Sequence, residues 1–113
     1  MELSVSELDA TAQVMTLTGR LDAPGVERVE TSFTAAAVSA GRHVAVDLGA
    51  VSFVGSLGIR MLISVARTMQ RRGQKMVLFG VEPLVRSVFE SVSLGELIPI
   101  AEDRAAAAVL LAG

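Results

Sequence analysis

The sequence predicts an α/β fold, a single domain over residues 1–113 with a mixed sheet of about five strands packed with helices. Three observations predict it. Apolar residues alternate with period two near the N-terminus, they recur three and four apart in later stretches, and glycines punctuate the joins between the two patterns. At 113 residues, 51% of them hydrophobic, the chain has one core and no room for a second. The element order read below is β-β-α-β-α-β-α-β-α, with short connections and no internal repeat.

Leu3 and Val5 alternate with Ser4 and Ser6, and Met15 and Leu17 alternate with Val14, Thr16 and Thr18, so the first two segments read as a hairpin reversing at Asp9-Ala10-Thr11. Gly19 is expected to end the second strand. A helix follows Asp22, which can cap it, with Pro24 tolerated in the first turn and Val26, Val29, Phe33, Ala36 and Ala37 on one face. Gly41 is its expected stop. His43 to Leu48 reads as a strand, Val51 to Val54 follows it, and the chain turns at Gly55-Ser56. From Leu57 a helical stripe of Ile59, Leu62, Ile63 and Ala66 runs to Gly73. Met76 to Phe79 is an apolar strand covered on both faces, ended by Gly80. Pro83 opens a third helix through Leu84, Val85, Val88, Phe89 and Val92. Leu97 to Ile100 is a short last strand confined to an edge by Pro99, and Asp103 caps an alanine-rich closing helix.

Composition excludes several classes of function. Ten basic against twelve acidic residues leave a net charge of −2, which is no footprint for nucleic acid, and four phenylalanines without Trp or Tyr make poor stacking platforms. With no cysteine there is no thiolate metal site or cysteine nucleophile, and His43 alone cannot make a multi-histidine site, so neither metal nor cofactor is expected. The longest apolar run, Ala105 to Ala112, falls far short of the roughly 20 residues a bilayer span needs, so no membrane insertion is expected. Met1-Glu2-Leu3-Ser4 lacks the basic start of a secretory signal, and a cytoplasmic location is expected.

Ser56 is the residue of greatest chemical interest. Between Gly55 and a helix, its oxygen can cap free N–H groups; the same free N–H groups and the positive end of the helix dipole also suit an anion, including a phosphate on that hydroxyl. Position alone does not separate these readings. A hydrolase elbow needs glycines two before and two after the serine; Gly58 fits, Val54 does not, and His43 precedes Ser56, so a catalytic triad is rejected. Asp22 and Asp47 close strands or cap helices rather than make a metal pair, and neither phosphate-binding glycine motif occurs. Arg67, Arg71 and Arg72 fall where the helix dipole favours cations.

Three stretches taken together resemble a known family: Gly19-Arg20-Leu21-Asp22-Ala23 after a strand, Val44 to Leu48 followed by Val51 to Ile59, and Val77 to Val81 followed by Pro83-Leu84-Val85. In this order and spacing they resemble a STAS domain of the anti-sigma factor antagonist type, over nearly the whole chain. The resemblance implies that the chain is not an enzyme. It implies a partner, an anti-sigma factor with serine kinase activity, that is bound by the unphosphorylated antagonist and released once the loop serine is phosphorylated, with a phosphatase resetting the switch.

By the same resemblance Ser56 is the phosphoacceptor, Gly58 matches the loop glycine, and Asp22 matches an aspartate beside the loop. The family pattern, Asp-Ser-Ser-Gly-Leu, has an acid where Gly55 stands and a serine where Leu57 stands. Gly55 removes a charge and is expected to loosen the loop. Val54, Leu57, Arg60 and Met61 are the expected contact rim. The alternative is a constitutive STAS subunit of a larger signalling or lipid-transport assembly, in which Ser56 only caps a helix.

Overall fold

The computed structural model describes residues 1–113. Strand β1 (Glu2–Asp9) pairs antiparallel with β2 (Ala12–Leu21), in a register that sets Leu3 opposite Leu17 and Val5 opposite Met15. Helix α1 (Ala23–Ser39) leads to β3 (His43–Val54), α2 (Ser56–Arg71), β4 (Met76–Phe79) and α3 (Pro83–Ser91). A single turn of 3₁₀ helix (Leu94–Glu96), β5 (Ile100–Ala101) and α4 (Arg104–Ala112) complete the chain. The sheet order is β1-β2-β3-β4-β5, and β2 to β5 run parallel.

The period-two pattern sorts side chains to the two faces of this sheet. Met15, Leu17, Val44, Val46, Leu48, Met76 and Leu78 point into the larger core beneath α1, α2 and α3. Ala12, Val14, Ala45, Val77 and Phe79 face the other way, against Ala107 and Leu111 of α4. The central strands therefore have no solvated face, which is why they read as unbroken apolar runs. The one buried polar side chain, Gln13, lies on the α1 side and donates from Nε2 to the Ala36 carbonyl at 2.9 Å.

The structure corrects several local expectations. Gly19 does not end β2; it sits within the strand at φ +117°, where the pairing with β3 shifts register, and Leu21 is the last paired residue. Asp47 does not close a strand either. Strand β3 continues to Val54 past an irregularity at which Asp47 Oδ1 accepts from the Gly49 N–H at 2.9 Å. The last strand is shifted to Ile100–Ala101, because Leu97 and Ile98 bond back to the Leu94 carbonyl and close the 3₁₀ turn. It lies at an edge, as expected, with the Pro99 carbonyl accepting from the Leu78 N–H at 3.0 Å. The core face of α2 is centred on Met61, Leu62, Val65, Ala66 and Met69; Ile59 and Ile63 lie at its margin, half-buried. His43 is structural: its Nδ1 accepts from the Lys75 N–H at 3.0 Å.

Three carboxyl groups are held below their ordinary range by the contacts they accept. Glu7 is lowered chiefly by the two hydrogen bonds from Arg42, at 2.7 and 2.8 Å. Asp9 is lowered by the Thr11 N–H, and Asp22 by the Gly25 N–H. A carboxyl that binds its proton less tightly when folded stabilises the fold above its unfolded pKa and loses that contribution as the pH falls through the lowered value. Unfolding free energy from urea titrations should therefore hold steady between about pH 7 and pH 5 and decline below it, with a shallower decline in Glu7→Gln. An identical acid slope in that variant would contradict the assignment.

Candidate functional site

The site is built where β2 and β3 end side by side. Leu21 is paired with Val54, so Asp22 and Gly55 leave the sheet next to each other, and each begins a helix. The Gly55 N–H donates to the Leu21 carbonyl at 3.1 Å, which pins the mouth of α2 to the end of β2. Two glycines, each third in its helix, permit the fit. A Cβ on Gly58 would lie 2.7 Å from Leu21 Cγ and 2.8 Å from the Leu21 carbonyl oxygen; one on Gly25 would lie 2.1 Å from the Arg20 carbonyl oxygen. Helices α1 and α2 thus both rest on the backbone of β2 at Arg20-Leu21, closer than any side chain would allow.

Ser56 is the first residue of α2, not its cap. The cap position is Gly55, in an extended conformation (φ −97°, ψ −177°), and no side-chain hydrogen bond closes this end of the helix. Ser56 is exposed, and its N–H and that of Leu57, the first two of the helix, have no intrahelical acceptor. The capping reading is therefore corrected: Ser56 presents its hydroxyl to solvent beside the first-turn N–H groups of α2. The backbone at Gly55 is one that any residue adopts, so the conformation does not require glycine there, and a Cβ would come nearest the Phe53 ring, at 3.3 Å.

Asp22 is occupied with α1. Its Oδ1 accepts from the Gly25 N–H at 2.9 Å, and its Oδ2 lies 3.4 Å from Arg20 Nε. The Arg20 guanidinium also stacks over the Phe53 ring, 4.4 Å from its centroid, so Asp22, Arg20 and Phe53 form a connected row leading to Gly55. Nothing in the sequence marked Arg20 and Phe53 as a pair, because only the register of β2 and β3 brings them together.

The expected contact rim is partly wrong. Val54 and Met61 are 3% and 1% exposed and belong to the core, so neither can meet a partner. Leu57 is 40% exposed and Arg60 is exposed, and both flank Ser56. A groove of about 470 Å³ runs from Ser56 along α2 past Ile59, Arg60, Ile63, Ser64, Arg67 and Arg71. It was hidden in the sequence because Ile59 and Ile63 read there as core residues. No cluster of three or more metal-binding side chains occurs, and no helix is long and apolar enough to cross a membrane.

Residues 5–99 match the family described as Mlab, STAS domain. The chain belongs to the STAS domain family. It is 30% identical over 108 residues to BtrV of Bordetella bronchiseptica, a protein provisionally named an anti-sigma factor antagonist, covering 96% of this chain and 92% of BtrV. Its fold is similar to that of an anti-sigma factor antagonist (STAS) domain protein of Planctomyces limnophilus, at TM-score 0.85 and 23% identity over 98% of both chains. It is similar also to the Bacillus cell fate determinant SpoIIAA in its phosphorylated form, at TM-score 0.69 and 21% identity over 96% of this chain and 99% of that one. Five strands in mixed order with four helices are thus a STAS fold.

In this STAS domain the cap assignments separate two serine and aspartate roles by stability. Asp103 accepts from the Ala106 N–H at 2.8 Å, so Asp103→Ala should lower unfolding free energy by about 1 kcal/mol. Ser56→Ala loses no such bond and should stay within about 0.5 kcal/mol of the parent in the same urea titration. Equal losses would restore Ser56 as a cap. Gly58→Ala should cost about 1–3 kcal/mol, since the new methyl meets backbone as well as side chain at Leu21.

Proposed function

We propose that the protein is a non-enzymatic anti-sigma factor antagonist that works by partner switching. In the unphosphorylated state it binds an anti-sigma factor with serine kinase activity through the surface around Ser56, and so frees a sigma factor for transcription. Transfer of a phosphoryl group to the Ser56 hydroxyl releases the partner, and a phosphatase restores the binding form. The observation that carries this reading is the exposed, uncapped hydroxyl of Ser56 at the mouth of α2. It is supported by the similarity to BtrV and to the SpoIIAA structure.

The energetics suit a switch without refolding. A phosphate adds about −1.5 to −2 charges at neutral pH, and in a closing interface it opposes binding through desolvation and repulsion. About 3 kcal/mol of such opposition weakens binding by roughly two orders of magnitude. Inside the molecule the same phosphate stands at the first-turn N–H groups, which have no intrahelical acceptor, at the positive end of α2, so the fold tolerates it. Leu57 and Arg60 are the proposed contacts beside the acceptor. Asp22 and Gly58 serve by holding the loop in place, and Gly55 by leaving room beside Phe53.

The test is binding of the co-purified anti-sigma factor to two variants. Ser56→Ala should retain it, Ser56→Asp should lose it by at least about tenfold, and incubation of the parent complex with ATP should add one phosphoryl mass to Ser56. Equal retention by both variants with no mass gain would make the chain a constitutive subunit of its complex.

A further inference from the structure

Charge is segregated on this molecule in a way its net value conceals. From Ser56 to Lys75 the chain holds four arginines, one lysine and no carboxylate, leaving the other five basic residues against all twelve acidic ones. Arg60, Arg67, Arg71 and Arg72 take part in none of the ion pairs, which join Arg20 to Asp22, Arg42 to Glu7 and Arg86 to Glu102. Dipole compensation accounts for cations in the last turns of α2 but not for Arg60, which stands one turn from the positive end and is disfavoured there. Arg60, Arg67 and Arg71 are spaced seven and four apart, so they share one exposed stripe with Ser56 and Ser64, and the half-buried Ile59 and Ile63 lie between them in the groove.

We infer that this groove is the docking site for an acidic segment of the protein partner, one that sets a carboxylate against each arginine and apolar side chains against Ile59 and Ile63. The inference rests on the partner-switching reading and names the chemistry of the partner's contact element. Charge complementarity selects that occupant. A positive stripe about 16 Å long, from Arg60 to Arg71, on a molecule whose remaining surface is strongly negative attracts a locally acidic segment and repels an extended polyanion beyond the stripe. The isoleucines suit a protein segment, since a nucleic acid backbone offers them no apolar partner. Ser56 lies at one end of the stripe, so a phosphate there would set new negative charge against the acidic segment that the arginines hold.

The probe is a synthetic peptide as long as α2 with one glutamate and one leucine in every turn, titrated into the isotopically labelled full chain and followed by amide chemical shifts. Shifts should concentrate on residues 56–71, and raising NaCl from about 50 to about 200 mM should weaken binding several-fold. The double variant Arg67→Glu/Arg71→Glu should bind at least about tenfold more weakly, while Arg104→Glu on α4, with half the charge change on the opposite face, should bind as the parent does. Folding of the double variant is checked by its amide spectrum. Shifts centred elsewhere, binding indifferent to the double reversal, or displacement of the peptide by a DNA duplex of equal charge at equal or lower concentration would each overturn the inference. The peptide titration involves no modification of Ser56. Its failure beside intact discrimination between Ser56→Ala and Ser56→Asp overturns the acidic segment alone, and the converse overturns the switch alone.

Discussion

The seat of α2 on Leu21 is the constraint on which the rest of the molecule depends. A parallel strand hands its chain to a helix at its C-terminal end, and here the end of the neighbouring strand supplies both the hydrogen-bond acceptor and the floor. The Leu21 carbonyl accepts from Gly55, and the bare Cα of Gly58 rests on Leu21. The strand end thus fixes where α2 starts through the N–H at the cap position, while the first N–H groups of the helix itself are left without a side-chain cap. Ser56 is thereby left free at a helix end that the fold already holds in place.

That division of labour separates polar groups engaged by the fold from those it leaves free. Asp22 and Asp103 spend their oxygens on the first turns of α1 and α4, and Asp9 on its own hairpin turn. Glu7 and Arg42 tie the far end of the sheet together. Every carboxylate so engaged lies off α2, whose exposed face keeps a hydroxyl, arginines without ion-pair partners and isoleucines at the edge of the core. A surface of that kind gains little from folding and is available for recognition, and its rigidity comes from Met61, Leu62, Val65 and Met69 beneath it. The proposed switch therefore requires no element of the fold to change place.

Most of the architecture was legible in the sequence because it rests on periodicity. The alternation around Met15 and Leu17, the run Met76–Phe79 and the glycines Gly41, Gly55, Gly73 and Gly80 at junctions specify strands and helices locally, and with them the order of the elements along the chain. What was not legible depends on two segments meeting. Ser56 next to Gly55 reads as a cap, and only the register of Leu21 with Val54 shows that the helix start is pinned one residue earlier, with Gly55 at the cap position and Ser56 inside the first turn. Val54 and Met61 were misplaced for the same reason: proximity along a turn does not tell which way a side chain points, and the tilt of α2 on the sheet turns Met61 inward and Ile59 and Ile63 partly outward. Gly25 escaped notice because its need, the Arg20 carbonyl beneath it, belongs to the preceding strand end.

Native-state amide exchange at the junction of β3 and α2 tests this account most directly. If the strand end holds the helix, the Gly55 amide exchanges only as slowly as the core amides of β3 allow, while the neighbouring Ser56 and Leu57 amides, which have no intrahelical acceptor and no side-chain cap, exchange orders of magnitude faster. Rapid exchange at Gly55, matching its two neighbours, would mean that Leu21 does not hold the loop and that the exposed serine has no fixed setting.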